Sequence, residues 1–405
     1  MAKGSNSSRL GRYNRSILLT ELRRSGSASK AVLAQRSGLS PQAVTRIVDE
    51  LEQTGMVSRS GKQRGGKGQP SILYRINPSG AYAIGAKIGR RFLDLLVMDF
   101  GGTIIDRIRH EYPWPEPEQV LQWIDVGIRT LAGALGVDER QRLMGVGVAM
   151  PWFLGQLEAQ TGMSRAAAEK WRCMDFDEEL RRRTTLPVFF ENDDSAAAIA
   201  ELLFGCGTEV DNFLYVFLGT FVGGGVIIDG NLMRGVHGNS GALASLPVPG
   251  SRLESAEKAQ PVDVLMNRAS LFVLTRHLHQ AGVQVSELDR LTDLAGAQRE
   301  SLEAWLDDCA DALAHALVGV VAVLDTAAIV IDSLLPPALV TDLVERVRQQ
   351  LGKRLPAELI QPDILQGRLG ASATVMGGAI LPFYSNFVLD RTVLLTGGVP
   401  RRILA

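Results

Sequence analysis

At 405 residues and 43.8 kDa, the chain is too long for one hydrophobic core, so two or three domains are expected. With 46% hydrophobic and 21% charged residues it reads as globular, and its longest apolar run, Ala316 to Leu324, is too short to span a bilayer. The net charge of -1 hides an asymmetry: residues 1–80 carry fourteen Lys or Arg and four acids, a net +10, which leaves -11 for the remainder. A basic head on an acidic body points to a polyanion partner for the head alone. The first residues lack an apolar signal core, and Cys173, Cys206 and Cys309 stand far apart without metal spacing. They fit reduced, buried thiols in a cytoplasmic protein.

Residues 1–10 are polar and are expected to be disordered or to form a DNA-contacting arm. Ile17, Leu18 and Leu22 then recur at helical spacing, giving a first helix from Tyr13 that ends near Ser25-Gly26. Ser29 or a neighbour caps a second helix, Lys30 to Arg36. After Ser37-Gly38, Ser40-Pro41 opens a third helix whose inner face is Val44, Ile47, Val48 and Leu51. Serine as the cap and proline at the first helical position agree with each other. The result is a helix-turn-helix whose Ser40, Gln42, Ala43, Thr45 and Arg46 would face DNA. An αα-hairpin in a helical bundle is the alternative.

After Gly55, two alternating stretches through Val57-Arg59 and Ile72-Tyr74-Ile76 flank a basic, glycine-rich tip. This makes a winged helix, with Arg64, Gly65, Gly66 and Lys67 suited to a minor groove or to phosphates. A solvated hairpin is the other reading. A linker is placed near Asn77-Pro78-Ser79-Gly80. The body then reads as strands at 83–89, 93–100 and 103–108, a helix from Pro117 to Leu135, a strand from Met144 to Pro151, and a strand Val188 to Asp194 running into a helix. The pattern recurs with strands Phe213 to Leu218 and Gly224 to Asp229 and a buried strand Ala328 to Asp332. Hairpins alternating with helices in two halves give an α/β protein with two lobes and a cleft.

This order of segments resembles the ROK family of sugar kinases and sugar-responsive repressors over nearly the whole chain. The resemblance rests on G-L-S-P-Q-A-V-T-R-I-V-D-E-L with the G-G-K-G-Q-P wing, on E-N-D at 191–193, and on L-G-T-F-V-G-G-G-V-I-I-D-G at 218–230. It implies an α/β chain with an N-terminal winged helix-turn-helix (1–78) and a two-lobed actin-like, ribonuclease-H-like body, lobe 1 at 79–197 and lobe 2 at 198–405. The C-terminal segment is allowed to pack back on lobe 1. It also implies a monosaccharide-type ligand in the cleft, and a homodimer or homotetramer.

The kinase motifs of such a family can be placed residue by residue. A phosphate hairpin, D-x-G-G-T-K, falls on Lys87-Ile88-Gly89-Arg90-Arg91-Phe92, with Lys87 in the place of the acid. The D-F-G-G-T at Asp99 to Thr103 lies one hairpin later and reads as a structural turn. The second phosphate loop keeps Gly219, Thr220, Gly223, Gly224 and Gly225 but has Phe221 in a glycine position, where bulk obstructs backbone approach to a phosphate. The adenosine-side Gly-Gly falls on Asp332-Ser333. No catalytic residue is therefore assigned, and no phosphoryl transfer is expected.

On the sugar side, Asp193 after Asn192 matches the family's base and is expected to bind ligand, although Asn192, Asp193 and Asp194 could simply cap a helix through Ser195. The family's G-E-x-G-H falls on Gly241 to Ser245, so its Glu and His are lost. Asn239 and Ser245, with Ser240 or His237, are the substitutes available. Trp152 could stack on a sugar ring or belong to the core. The structural zinc of the family lacks its ligands here, because residues 247–262 contain no cysteine and His277 and His279 diverge on a helix; no metal or other cofactor is expected. The chain is expected to be a regulator, most often a repressor, with a double-stranded DNA operator, a sugar-type effector, no membrane partner and carbohydrate genes as targets. A sugar kinase, or a regulator with a decayed sugar site, is the alternative.

Overall fold

Three helices and a small sheet build the head of the protein in a computed structural model that describes residues 7–63, 71–152, 154–156, 162–253, 261–283 and 288–388. The elements are α1 (Ser7–Ser25), β1 (Ala28–Ser29), α2 (Lys30–Ser37), α3 (Pro41–Gln53), β2 (Val57–Gln63) and β3 (Ser71–Ile76), with strand order β1-β3-β2. Leu18, Leu19 and Leu22 of α1 pack with Leu33, Val44, Ile47, Val48 and Leu51 as the head's core. Helix α1 corrects the expected start at Tyr13 and the expectation of disorder for residues 7–10, since it is helical from Ser7. The added turns include Ser7, Ser8 and Gly11, which are not strong helix formers, so they are carried by propagation from the packed leucine face, which is far easier than nucleation. Strand β1 carries no sequence signal, because two residues have no readable period; it exists by pairing with Leu73 and Tyr74.

The linker is tied on both sides. The Asn77 side-chain amide donates to Gly55 O at 2.7 Å, and Phe100 N donates to Pro78 O at 2.9 Å. Arg23 at the end of α1 donates to Phe100 O at 3.2 Å, and its guanidinium lies 5.0 Å from the centre of the Phe100 ring. Burial lowers the Arg23 pKa to about 10, against the opposing pull of Asp99.

The chain divides into two compact units, one drawn from Met1–Leu203 and Thr374–Ala405, the other from Phe204–Ala373. In the first, β4 (Tyr82–Ile88), β5 (Phe92–Asp99) and β6 (Ile104–Glu111) form an antiparallel meander. After α4 (Pro117–Ala134) and the short α5 (Val137–Arg140), β7 (Leu143–Met150) joins β4 in parallel. Helices α6 (Arg165–Cys173) and α7 (Phe176–Arg181) lead to β8 (Val188–Asn192), which pairs in parallel with β7 and passes directly into α8 (Asp193–Phe204). The order is β6-β5-β4-β7-β8. One face packs Ile84, Ala86, Leu93, Leu95 and Val97 against Val120, Leu121 and Ile124 of α4.

The second unit repeats that wiring. Strands β9 (Phe213–Leu218), β10 (Val222–Ile228) and β11 (Asn231–Met233) form the meander. The small pair β12 (Pro247–Pro249) and β13 (Val262–Val264) precedes α9 (Leu271–Gln280) and the 29-residue α10 (Gly296–Leu324). Strand β14 (Ala328–Ser333), α11 (Pro337–Arg354) and β15 (Asp363–Gln366) complete the order β11-β10-β9-β14-β15. Helix α12 (Ser372–Phe387) then returns the chain to the first unit. There its backbone touches the sheet: a Cβ on Gly85 would come 2.2 Å from Ala379 N, and one on Gly147 2.0 Å from Gly378 O. Only glycine permits that approach. Among the described residues no helix is long and apolar enough to cross a membrane.

Candidate functional site

Helix α3, the expected reader helix of the helix-turn-helix, opens as its sequence requires. Ser40 Oγ accepts from Ala43 N at 3.2 Å, and Pro41 occupies the first turn. Ser40, Gln42, Thr45 and Arg46 are exposed, and Ala43 is half-buried. The Thr45 hydroxyl donates back to Pro41 O at 2.8 Å, while the Arg46 side chain is 68% exposed and only 4.0 Å from Glu50 at its nearest. The three acids of this helix are all engaged by cations: Asp49 by Lys30, Glu50 by Arg15 at 2.6 Å, and Glu52 by Arg59 at 2.7 Å. Their pairing leaves the early, outward turns of α3 without a competing negative charge. Arg64, Gly65, Gly66 and Lys67 lie outside the described residues.

Two of the residues expected to bind ligand, Asn192 and Asp193, lie at the junction of β8 and α8. Asn192 Oδ1 accepts from Asp194 N at 3.1 Å and Ser195 N at 3.2 Å, so it caps α8. Asp193 begins the helix, nine-tenths buried, where the positive end of the helix dipole favours a carboxylate. Its Oδ2 lies 3.4 Å from Lys87 Nζ, and both side chains are mostly buried. Sheet register accounts for the encounter. Arg109, Asp94, Lys87, Ala149 and Glu191 form one cross-strand row over the five strands, and such partners share a face. Asp193 follows Glu191 by two residues and meets Lys87 from the strand end. The neighbouring Asp194 carboxyl is held well above the usual carboxylate range, by burial first and then by the charge of Asp193, with Lys87 opposing both. Trp152, half-buried, follows β7 in the same unit.

The three kinase-like segments are engaged within the protein. Gly89 N donates to Phe92 O at 2.9 Å across the β4–β5 hairpin, and Tyr112 Oη donates to Gly89 O at 2.7 Å. Asp99 Oδ1 accepts from Gly101 N and Thr103 N, at 2.9 and 2.8 Å, so D-F-G-G-T is a side-chain-closed turn between β5 and β6. In the second unit, Gly219 O and Thr220 O accept from Leu271 N and Phe272 N at the start of α9, and Phe221 lies 6.0 Å from Phe272, centre to centre. Asp332 is buried; it accepts from Ser333 N and from the Tyr215 hydroxyl, at 3.0 and 3.3 Å. A Cβ on Gly367 would fall 2.5 Å from Asp332 Oδ2, so this carboxylate fills the available space.

Asn239 and Ser245, both exposed, belong to the second unit, on the segment that follows β11. Asn239 O accepts from Ala242 N, and Ser245 N donates to Ala242 O. The segment around β12 is pinned by a buried ion pair. Arg268, 1% exposed, binds Asp308 at 2.7 Å, Asp311 at 2.9 Å and Pro249 O at 3.0 Å, while Ser251 Oγ donates to Asp308 Oδ2 at 3.0 Å. Among the described residues no three His, Cys, Asp or Glu are grouped to hold a metal. The cysteines are free, but Cys173 corrects the expectation of three buried thiols. Helix α6 buries Ala167, Ala168 and Trp171, which leaves Cys173 exposed on its last turn, donating to Glu169 at 3.3 Å.

The sequence showed Lys87 in the acid's place but could not put it against Asp193, and Asp194 drew notice only as a possible cap residue. Hydropathy carries no signal for either relationship, since both depend on which strands become neighbours.

Comparison with known proteins agrees with this architecture. A MarR family model matches residues 16–64, the part of the head from within α1 to the end of β2, and a ROK family model matches residues 83–383. The protein y4fQ of Sinorhizobium fredii (strain NBRC 101917 / NGR234) is 27% identical over 361 residues, 88% of this chain and 86% of its own length. The xylose repressor of Bacillus subtilis (strain 168) is 28% identical over 241 residues, which are 58% of this chain and 61% of the repressor. The match thus spans less than two thirds of that relative. In fold, the chain is similar to the crystal structure of a ROK family transcriptional regulator, a homolog of the E. coli MLC protein. That similarity has a TM-score of 0.68 at 20% identity and covers 95% of this chain and 99% of the other. With a family model spanning most of its length, over two sheets of the same wiring, the chain belongs to the ROK family.

Proposed function

We propose that the protein is a cytoplasmic, sequence-specific DNA-binding transcriptional regulator, a repressor of carbohydrate uptake or catabolism genes, controlled by a sugar-type effector. The observation that carries this reading is the reader helix: Gln42, Thr45 and Arg46 stand exposed on the early turns of α3 while its three acids are each held by a cation. Gln side chains and Arg forks match adenine and guanine edges in the major groove. The surrounding +10 head supplies sequence-independent affinity. Ser40, Ala43, Arg64, Gly65, Gly66 and Lys67 complete the DNA-binding set. The protein acts as a homodimer or homotetramer on a repeated operator. Asn192, Asp193 and Trp152, with Asn239 and Ser245, hold the effector.

In this reading the protein is not a sugar kinase. A lysine stands where metal-nucleotide chemistry would want an acid, and it neutralises the carboxylate that would otherwise act as base. Two measurements test the proposal. Fluorescence anisotropy should show the protein preferring the DNA upstream of its own gene over a scrambled duplex by about a thousandfold or more. Equal affinity for the two duplexes overturns the regulator reading. An ADP-release assay over hexoses and hexosamines should show no turnover; turnover abolished by Asp193→Asn would establish the kinase instead.

A further inference from the structure

Three parts of the first unit rest on Phe100, in the turn between β5 and β6. It is 1% exposed, and both of its backbone polar groups are used: Phe100 N donates to Pro78 O at 2.9 Å, and Phe100 O accepts from Arg23 at 3.2 Å. The Arg23 guanidinium also lies 5.0 Å from the centre of the ring, which meets Phe383 and Phe387 of α12 edge to face at 5.2 and 5.0 Å. The end of α1 in the head, the linker and α12 are thus joined at one residue. Asp99 fixes its place by closing the turn on Gly101 N and Thr103 N. A partly buried guanidinium facing an aromatic ring is attracted more strongly than an exposed one, and its charge strengthens the bond to the carbonyl.

Short polar linkers are ordinarily slack, and the domains they join move by default. Here each of the four linker residues is held. Asn77 N donates to Met56 O at 3.0 Å and the Asn77 side chain to Gly55 O at 2.7 Å. Pro78 has a fixed φ and sits so close to Gly101 that a Cβ there would come 3.2 Å from its side chain. Ser79 O accepts from Arg142 Nη1 at 2.8 Å. Gly80 N donates to Asn77 O at 2.9 Å, and a Cβ on Gly80 would lie 2.8 Å from Gly55 O. Head and first sheet accordingly fall in one compact unit.

We propose that Arg23 and Phe100 determine which operators are bound: they lock the head onto the first unit, so that the two readers of a dimer accept half-sites at one separation only. The inference rests on the regulator reading and its homodimer. Helix-turn-helix dimers match half-sites about one helical turn, or a multiple of it, apart. A reader on a slack tether follows its half-site over a range of separations, whereas a locked reader does not. Arg23 and Phe100 are therefore positioning residues, acting on DNA through the place of α3.

Operator spacing tests this on the full chain. Footprinting on the DNA upstream of the protein's own gene maps the two protected segments. Anisotropy then compares that duplex with a copy whose segments are moved apart by a quarter of a helical turn, and with a duplex holding one segment. Wild type should lose about tenfold or more on the moved copy, because a second reader that misses its half-site forfeits its avidity. In Arg23→Gln/Phe100→Leu that penalty should largely vanish, with wild-type affinity kept for the single segment. Arg23→Gln alone leaves the aromatic packing whole and should show a smaller change in the same direction, so the test survives a double variant that fails to fold. An unchanged penalty in the folded variants, a wild type indifferent to spacing, or one protected segment overturns the inference and leaves the regulator reading standing. Loss of single-segment affinity in Arg23→Gln overturns it too, since the contact would then serve the reader's own fold. A wild type that fails to prefer its upstream DNA over a scrambled duplex sinks the regulator reading, and this inference with it.

Discussion

Lys87 Nζ on β4 and Asp193 Oδ2 at the first turn of α8 lie 3.4 Å apart, with both side chains largely buried. The pair joins two elements 106 positions apart and neutralises the carboxylate that follows β8 at the start of α8. Breaking a buried pair from one side leaves an uncompensated charge and costs about 3 kcal/mol or more. Lys87→Met and Asp193→Asn should each destabilise the protein in urea titrations, Lys87→Met the more, because it leaves Asp193 facing Asp194. The double variant should lose much less than the sum of the singles. Strict additivity would mean that the two groups do not interact in solution.

Asp194 supplies a pH dependence. Its carboxyl is held above the ordinary range, by burial first. A raised folded pKa means that the native state binds more protons, so stability falls as pH rises from the unfolded carboxylate value, about 3.9, to the raised one. Above that window the cost is present in full, and acidification through it removes the cost. Asp194→Asn, neutral throughout, should therefore be more stable than wild type at neutral pH. Its advantage should shrink on lowering the pH, by up to about 1.4 kcal/mol per unit inside the window. Thermal unfolding across that range measures this; a pH-independent difference would remove the assigned cause.

For the reader helix, stability and recognition should separate. Ser40→Ala removes the cap on Ala43 N and should cost about 1 kcal/mol of head stability. Gln42→Ala leaves the fold intact and should relax preference at a single base pair by about 1 to 3 kcal/mol. Arg46→Ala should weaken operator binding without lowering Tm, since its nearest acid is 4.0 Å away on an exposed surface. An equal loss of affinity on operator and scrambled DNA in Gln42→Ala would assign that residue to the backbone.

The buried Arg268–Asp308 pair holds the segment around β12, where relatives are expected to use zinc. Asp308→Ala should destabilise by about 3 to 5 kcal/mol, because Arg268 is left charged and enclosed. Replacing both partners by apolar residues of similar volume should recover most of the loss. Chelator treatment of the wild type should leave its Tm unchanged; a fall on chelation would reveal a metal outside this arrangement.

Much of the molecule could be read from its residues. Ser29 and Ser40 cap α2 and α3, Val44, Ile47, Val48 and Leu51 are buried, and Asp99 closes the hairpin before Thr103. These features depend on neighbours within a few positions, where spacing and capping chemistry act directly. The start of α1, the bridge at Ala28–Ser29 and the exposure of Cys173 were not legible, since each depends on packing by another part of the chain.

The same division holds at the site. Sequence alone determined the reader helix, the basic head and the presence of a lysine at 87 in place of an acid, because local periodicity and composition are enough for those. Only the tertiary structure decided that Lys87 meets Asp193, that Asn192 is committed to the helix cap, and that Arg90 Nε is buried without a partner among the described residues. A direct ion pair needs its two charged groups within about 4 Å of each other. Which carboxylate a lysine neutralises is therefore set by strand order and register, which no single stretch of sequence contains.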